Sequence, residues 1–252
     1  MLYVIGTGLW RGDDISYRGT ELCRNSSKVY IDSYTRAFDS KELARLEEII
    51  GKKAILLGRD ELEEKLGFLR ESKDVDVVLL VPGDPLIATT HITIIMEARR
   101  RGIRYEIVHG SSIYDALIGE AGLHIYKVGG SCTIPMREKK IRPYSVYDKI
   151  VENTKRGMHT LVFLDTAPGK EMMINEALEI LQEIEEEKKQ GIARDENKIV
   201  VGCRIGSAQQ NLVYGSIGTI KKMQFTGPCA LVFPGELHFS EEEFLSFFEV
   251  RE

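Results

Sequence analysis

The chain has 252 residues, 43% hydrophobic and 29% charged, with a formal net charge of −5. That size suits one large domain or two modest ones with a substantial core. The acidic balance argues against a protein that binds nucleic acid by neutralising phosphates, and no apolar run approaches the roughly 20 residues needed to cross a bilayer.

Met1 leads straight into a strand-like run, with no basic segment and long apolar segment ahead of it, so secretion is not expected. The cysteines, Cys23, Cys132, Cys203 and Cys229, form no C-x-x-C pair. They read as scattered single thiols, small core or surface residues of a protein in a reducing compartment. A cytoplasmic location follows, with neither nucleic acid nor membrane as a partner.

Short β-branched runs alternate with longer amphipathic ones in the first part of the chain. Strands are predicted at Leu2–Gly6, Lys28–Asp32, Ala54–Gly58, Val77–Val81 and Tyr105–Val108. Helices are predicted at Asp14–Arg24, Ser40–Ile50, Glu61–Leu69 and Ile87–Arg101. Such alternation predicts parallel strands joined by right-handed helical crossovers. After Val108 the pattern changes. Ser111–Gly119 reads as a short helix. Strand-like runs follow at Leu123–Val128, Leu161–Leu164, Ile199–Arg204, Ser216–Met223 and Cys229–Pro234. Glu171–Lys189 reads as a long helix whose Glu183–Glu187 run is a solvated face, and Asp195–Lys198 as a polar loop. The fold class is therefore α/β in two domains, residues 1–110 and 111–252, with a mostly parallel first sheet and a mixed second one.

Two turns stand out. Gly6-Thr7-Gly8 ends the first apolar run, and Pro82-Gly83-Asp84-Pro85 ends the fourth. In an open α/β sheet, ligands bind at the carboxyl ends of strands, and glycine lets backbone come close to them. A dinucleotide fingerprint would need G-x-G-x-x-G, but here the third position is Arg11 and Gly12 comes one residue late. Asp32 ends the second run as a ribose-binding acid would, yet the broken fingerprint speaks against a nicotinamide or flavin. Asp84 reads as a helix N-cap with Pro85 at the first helical position. The same helix start is a natural anion site, and Asp84 can also accept from a ligand amine or hydroxyl. Gly110-Ser111-Ser112-Ile113 is a third strand-to-helix turn. The histidines, His91, His109, His124, His159 and His238, contain no i, i+4 zinc pair. There is no G-x-S-x-G elbow and no P-loop, so the reactive group of an enzyme built this way comes with a cofactor.

At these residues the chain resembles the diphthine synthase family, whose members have the tetrapyrrole-methylase fold, class III of the S-adenosylmethionine-dependent methyltransferases. The resemblance spans essentially the whole chain. It is carried by Met1–Leu9, Val29–Thr35, Gly83-Asp84-Pro85-Leu86-Ile87-Ala88-Thr89-Thr90-His91, His109–Ile113, Gly157-Met158-His159-Thr160-Leu161 and Pro234-Gly235-Glu236-Leu237-His238. The longer blocks are more specific than any lone glycine motif.

The resemblance implies a homodimer that binds S-adenosylmethionine between its two domains and releases S-adenosylhomocysteine. The implied substrate is a histidine of translation elongation factor 2 that carries a 3-amino-3-carboxypropyl group, with its amine methylated in succession. The implied cofactor contacts are Leu9, Asp84, Ile87, Ser112, Ile113, Leu164, Tyr214 and His238. Ile87 stands where the family commonly has glycine, and Tyr214 where most relatives have alanine. The segment after His159 lacks a large insertion of many eukaryotic relatives. No metal is implied. An amine that is itself the nucleophile needs no dedicated base, and no residue is assigned a proton-transfer role; His238 reads as a neighbour of the adenine or as a structural residue. A methylase of a small tetrapyrrole and a non-catalytic S-adenosylmethionine-binding partner of the elongation factor are the alternatives.

Overall fold

The computed structural model describes residues 1–10, 12–34, 40–137, 141–167 and 170–250. The chain divides into two compact units, Met1–Ile113 and Tyr114–Glu252, so Ser111, Ser112 and Ile113 go with the first unit.

The first unit contains β1 (Leu2–Gly6), α1 (Tyr17–Asn25), β2 (Lys28–Asp32), α2 (Ser40–Ile50), β3 (Ala54–Leu57), α3 (Gly67–Glu71), β4 (Val77–Val81), α4 (Ile92–Arg100) and β5 (Tyr105–Val108). Its sheet has the order β3-β2-β4-β1-β5, and every neighbouring pair is parallel, as the alternation predicts. Strand β4 lies at the centre and is buried along its whole length. Its side chains alternate between faces. Val77, Leu79 and Val81 join a core with Ile94, Ile95 and Ala98 of α4. Val78 and Leu80 join another with Cys23 of α1 and Leu46 and Ile50 of α2. This two-sided burial is why the strand reads as a continuous apolar run.

Three predicted helices shift. α1 starts at Tyr17, because Ser16 caps it by accepting from Gly19 N–H at 3.0 Å. The run Glu61–Leu69 is split at Leu66, whose backbone is left-handed with φ 46°. The run expected from Ile87 becomes helical only at Ile92, after a loop in which Ala88 has φ 54°. Asp84 is therefore not an N-cap of that helix.

Helix α5 (Ile113–Glu120) begins at the junction. The second unit then holds β6 (Cys132–Ile134), α6 (Tyr144–Lys155), β7 (Thr160–Leu164), β8 (Thr166–Ala167), β9 (Lys170–Glu171), α7 (Ile174–Lys188), β10 (Lys198–Cys203), β11 (Asn211–Ser216), α8 (Ile217–Ile220), β12 (Cys229–Phe233) and α9 (Phe239–Ser246). Its main sheet has the order β11-β10-β12-β7-β6. Only β6 and β7 pair in parallel; the rest are antiparallel. Two runs expected as strands differ. Leu123–Val128 contains a 3₁₀ turn at Ile125–Lys127 with Tyr126 exposed. Ser216–Met223 turns into α8 at once, because the Ser216 hydroxyl caps it by accepting from Thr219 N–H at 3.2 Å. That cap overrides the strand preference of Ile217, Thr219 and Ile220.

Two further readings are corrected. Within the acidic run of α7, Glu185 is buried rather than solvated. It accepts from the Tyr147 hydroxyl at 2.6 Å and from the N–H groups of Gly191, Ile192 and Ala193 at 2.7, 2.9 and 3.2 Å, closing the loop after the helix. Cys203 and Cys229 form a disulfide. They stand opposite each other on β10 and β12, a proximity that their 26-residue separation in the chain conceals. Cys23 and Cys132 are free thiols, both pushed up to about 12 by burial.

Candidate functional site

In the first unit the loops after the three adjacent strands β4, β1 and β5 meet backbone to backbone. Gly8 and Gly83 form an antiparallel bridge, with Gly83 N–H donating to the Gly8 carbonyl at 2.8 Å and Gly8 N–H to the Gly83 carbonyl at 3.3 Å. Thr7 N–H donates to the Val81 carbonyl at 2.8 Å. A Cβ at Gly6 would lie 2.4 Å from the Gly83 oxygen and 2.8 Å from Gly110 N, and one at Gly110 would lie 2.7 Å from that same oxygen. No side chain fits at either position, which explains glycine at both. Gly83, at φ 71°, has no heavy atom closer than 3.9 Å to the place a Cβ would take. Its Cα therefore faces open space at the strand ends, where a ligand can approach the backbone.

Asp84 ties these loops together. It is 4% exposed. Oδ1 accepts from Leu86 N–H at 2.9 Å, closing a tight turn into Pro85-Leu86. Oδ2 accepts from His109 Nδ1 at 2.7 Å and Gly110 N–H at 3.3 Å. The carboxylate thus links the loop after β4 to the loop after β5. The sequence offered an N-cap or a ligand acceptor for Asp84, and this cross-strand link requires the sheet order to be known. Of the expected cofactor contacts, Leu9, Asp84, Ile87 and Ser112 sit on these adjoining loops, and Ile113 opens α5 directly after the last of them. Ser112 is buried, Leu9 and Ile113 half-buried, and Ile87 exposed.

Asp32 has a different partner from the ribose that a dinucleotide reading would supply. Its Oδ2 lies 3.2 Å from His91 Nε2, and Oδ1 accepts from Tyr34 N–H at 2.7 Å. Both side chains of the Asp32–His91 pair are buried. The pair joins the end of β2 to the start of α4, and sequence spacing gave no sign of it. Thr35, which closes the second resemblance block, lies outside the described residues.

In the second unit the expected residues are spread over the sheet. Leu164 ends β7, whereas His238 follows β12, which runs antiparallel to β7 and starts its register at Phe233 opposite Thr160. The two therefore belong to opposite ends of that strand pair. Tyr214 is on β11, level with Leu161 through Val200 and Val232. It is 8% exposed. Its N–H donates to the Phe248 carbonyl and its carbonyl accepts from Val250 N–H, both at 2.9 Å, and Lys198 Nζ lies over its ring, 5.5 Å from the centroid.

The Gly157–Leu161 and Pro234–His238 blocks do come together. A Cβ at Gly235 would lie 2.5 Å from the carbonyl carbon of Gly157. Gly235 N–H donates to His159 Nδ1 at 3.0 Å. His159 Nε2 then carries the proton and donates to Glu241 Oε1 at 3.0 Å. His159 and Glu241 are both fully buried. Burial lowers the His159 pKa, so the ring is held neutral, in the tautomer that both hydrogen bonds require. His238 is the N-cap of α9. Its exposed ring lies 4.2 Å from Phe239 and 5.3 Å from His124, centroid to centroid. Among the described residues, no group of His, Cys, Asp and Glu is placed to hold a metal ion, and no helix is long and apolar enough to cross a membrane.

A family model for Tetrapyrrole (Corrin/Porphyrin) Methylases matches residues 1–221. The chain is 38% identical over 253 aligned positions to a diphthine synthase of Methanococcus aeolicus, covering 98% of this chain and 97% of that one. It is 36% identical to a diphthine synthase of Methanocaldococcus jannaschii, covering 98% of each. Among solved structures, a crystal structure of diphthine synthase superposes with a TM-score of 0.87 at 36% identity, covering 98% of this chain and 95% of the other.

Proposed function

The chain belongs to the tetrapyrrole methylase family and, within it, to the diphthine synthases; from that premise we propose that it methylates a modified histidine of translation elongation factor 2, in succession, at the amine of a 3-amino-3-carboxypropyl group. The observation that carries this reading is the full-length match to several diphthine synthases, with no large part of either chain left over.

S-adenosylmethionine, when bound, supplies a methyl group already activated as a sulfonium. The residues proposed to hold it are Leu9, Asp84, Ile87, Ser112 and Ile113 in the first unit and Leu164, Tyr214 and His238 in the second. The open face at Gly83, beside the carboxylate of Asp84, fits such a ligand. Asp84 acts mainly by fixing the loops, since Leu86, His109 and Gly110 already occupy its oxygens. Ile87 contacts the cofactor through its backbone. Holding an unprotonated amine in line with the methyl group contributes up to about 7–11 kcal/mol through proximity and orientation. A neutral amine is its own nucleophile, so the proposal needs no catalytic base. The protein works as a cytoplasmic homodimer, the commonest symmetry for such an assembly.

The test incubates the protein with S-adenosylmethionine and elongation factor 2 bearing the 3-amino-3-carboxypropyl histidine. Mass spectrometry should show successive additions of one methyl mass at that residue. Undiminished transfer to a factor whose target histidine is replaced would refute the substrate assignment. Sedimentation at micromolar concentration should give a dimer, and a monomer would refute that part of the reading.

A further inference from the structure

Helix α9 opens with a capping box. The His238 side chain accepts from Ser240 N–H, and Glu241, three residues on, accepts from His238 N–H at 2.7 Å. A capping glutamate needs only that one bond, and it ordinarily stays at the surface. Glu241 is fully buried and does much more. The oxygen that takes His238 N–H, Oε2, also accepts from Lys127 Nζ at 2.7 Å. The other, Oε1, accepts from His124 N–H at 2.7 Å and from His159 Nε2 at 3.0 Å. One carboxylate therefore joins the loop after α5, the start of β7 and the start of α9. Lys127 Nζ donates onward to the Glu236 carbonyl, and His159 Nδ1 accepts from Gly235 N–H. The Pro234–His238 segment is thus tied to this centre at Gly235, Glu236 and His238.

The two backbone N–H groups on Glu241 belong to His124 and His238, whose rings lie 5.3 Å apart. Both rings are at least partly exposed, while the carboxylate that fixes their backbones is not. Helix capping alone gives no reason to spend a buried charge on His124, Lys127 and His159. Fixing the two backbones that carry the rings does, with the Ser240 hydroxyl, 2.8 Å from His238 Nδ1 and 3.4 Å from His124 Nε2, joining the rings themselves.

We propose that Glu241 is the positioning residue for His238, holding that ring beside His124 in the orientation that meets the cofactor, with Lys127 and His159 as its supports. The inference rests on the reading above that His238 contacts S-adenosylmethionine. Glu241 touches no ligand and acts through His238.

The test is a double-mutant cycle read by calorimetric titration of the intact protein with S-adenosylhomocysteine, using Glu241→Gln, His238→Ala and the two combined. Positions that act through one another give non-additive effects. Each single variant should bind about tenfold more weakly, and the double variant no more weakly than His238→Ala alone. Losses that multiply to about a hundredfold would mean that Glu241 acts structurally and independently of His238, overturning the proposal while the site reading stands. Unchanged affinity in His238→Ala would overturn the site reading and the proposal with it. Should Glu241→Gln fail to fold, Lys127→Met removes one support and should show the same non-additivity with His238→Ala; additive losses there would overturn the proposal equally.

Discussion

Asp84 and His109 stand on different loops, 25 residues apart in sequence, yet the carboxylate accepts from the imidazole Nδ1 at 2.7 Å. The sheet order explains the meeting: β1 lies between β4 and β5, and its glycine turn lets the two flanking loops close over it. Asp84 is nearly fully buried while His109 is largely exposed, so the bond is anchored on the carboxylate side. Asp84→Asn keeps an acceptor for Leu86 N–H but turns an amide donor toward Gly110 N–H and His109 Nδ1. Leaving such donors unsatisfied costs about 1–3 kcal/mol, and each kcal/mol lowers the melting temperature of a chain this size by about 2–4 °C. Cofactor affinity should fall by more than tenfold, since the displaced loops carry Leu9, Ile87, Ser112 and Ile113. Calorimetry with S-adenosylhomocysteine and a melting curve on the same variant check both. Normal affinity with a lowered melting temperature would mean that the loops Asp84 fixes do not carry the cofactor site.

Two glycines make a matched contrast. Gly110→Ala places a Cβ 2.7 Å from the Gly83 carbonyl oxygen, and only backbone can give way. Overpacking of this kind costs about 1–3 kcal/mol and pushes the three loops apart. Gly119 lies in α5 with nothing within 4 Å of the added Cβ and no positive φ, so Gly119→Ala should stabilise by roughly 0.5–1 kcal/mol. Urea unfolding of the two variants should move the midpoint in opposite directions, with cofactor binding lost only in Gly110→Ala.

What the sequence made legible follows from how local each signal is. The central strands of the first unit, β1 and β4, are apolar runs buried or nearly so on both faces, a signal contained in five residues at a time, and β1, β2, β4 and β5 carry the predicted bounds. The parallel sheet follows from alternation with helices. The loops at Gly6–Gly8, Gly83-Asp84 and Gly110–Ile113 were visible as turns, but their convergence depends on β4, β1 and β5 being neighbours, which no turn motif encodes. Non-local partners were the systematic loss. Asp32 with His91, Glu185 with Tyr147, Cys203 with Cys229 and Glu241 with His159 all join residues that only the tertiary fold makes adjacent. Local capping chemistry was the other loss, and it was avoidable. Ser216 three residues ahead of Thr219 is a cap that the β-branched residues around it disguised.

The disulfide closes a loop of modest length between β10 and β12. A bridge over such a loop contributes about 2–4 kcal/mol, chiefly by restricting the unfolded chain. Cys203→Ser with Cys229→Ser should lower the unfolding free energy read from a urea titration by that amount without altering cofactor affinity, and a reducing agent should act on the parent protein in the same way. Equal stability of parent and double variant in non-reducing buffer would mean that the two sulfurs stay reduced.

Acid should unfold the protein in two stages that the Glu241 centre sets. His159 ordinarily titrates at 6.5, and burial lowers it in the fold. The unfolded chain therefore takes up that proton first, so the stabilisation is fully present above about 6.5 and is lost progressively as pH falls below it. Protonation would also put a donor at Nδ1 against Gly235 N–H, removing the bond that ties the segment before His238. Glu241 behaves in the same direction at lower pH. Burial pushes its carboxyl up, but the hydrogen bonds from His238 N–H, Lys127, His124 N–H and His159 outweigh this and bring it from 4.5 down to about 2. Its contribution is complete above 4.5 and disappears between there and about 2. Urea midpoints measured from neutral pH down to pH 3 should fall first through the histidine range and then more steeply through the carboxylate range. His159→Gln should flatten the first part of that descent and Glu241→Gln the second. A descent identical in parent and Glu241→Gln would show that other carboxylates govern the acid limb.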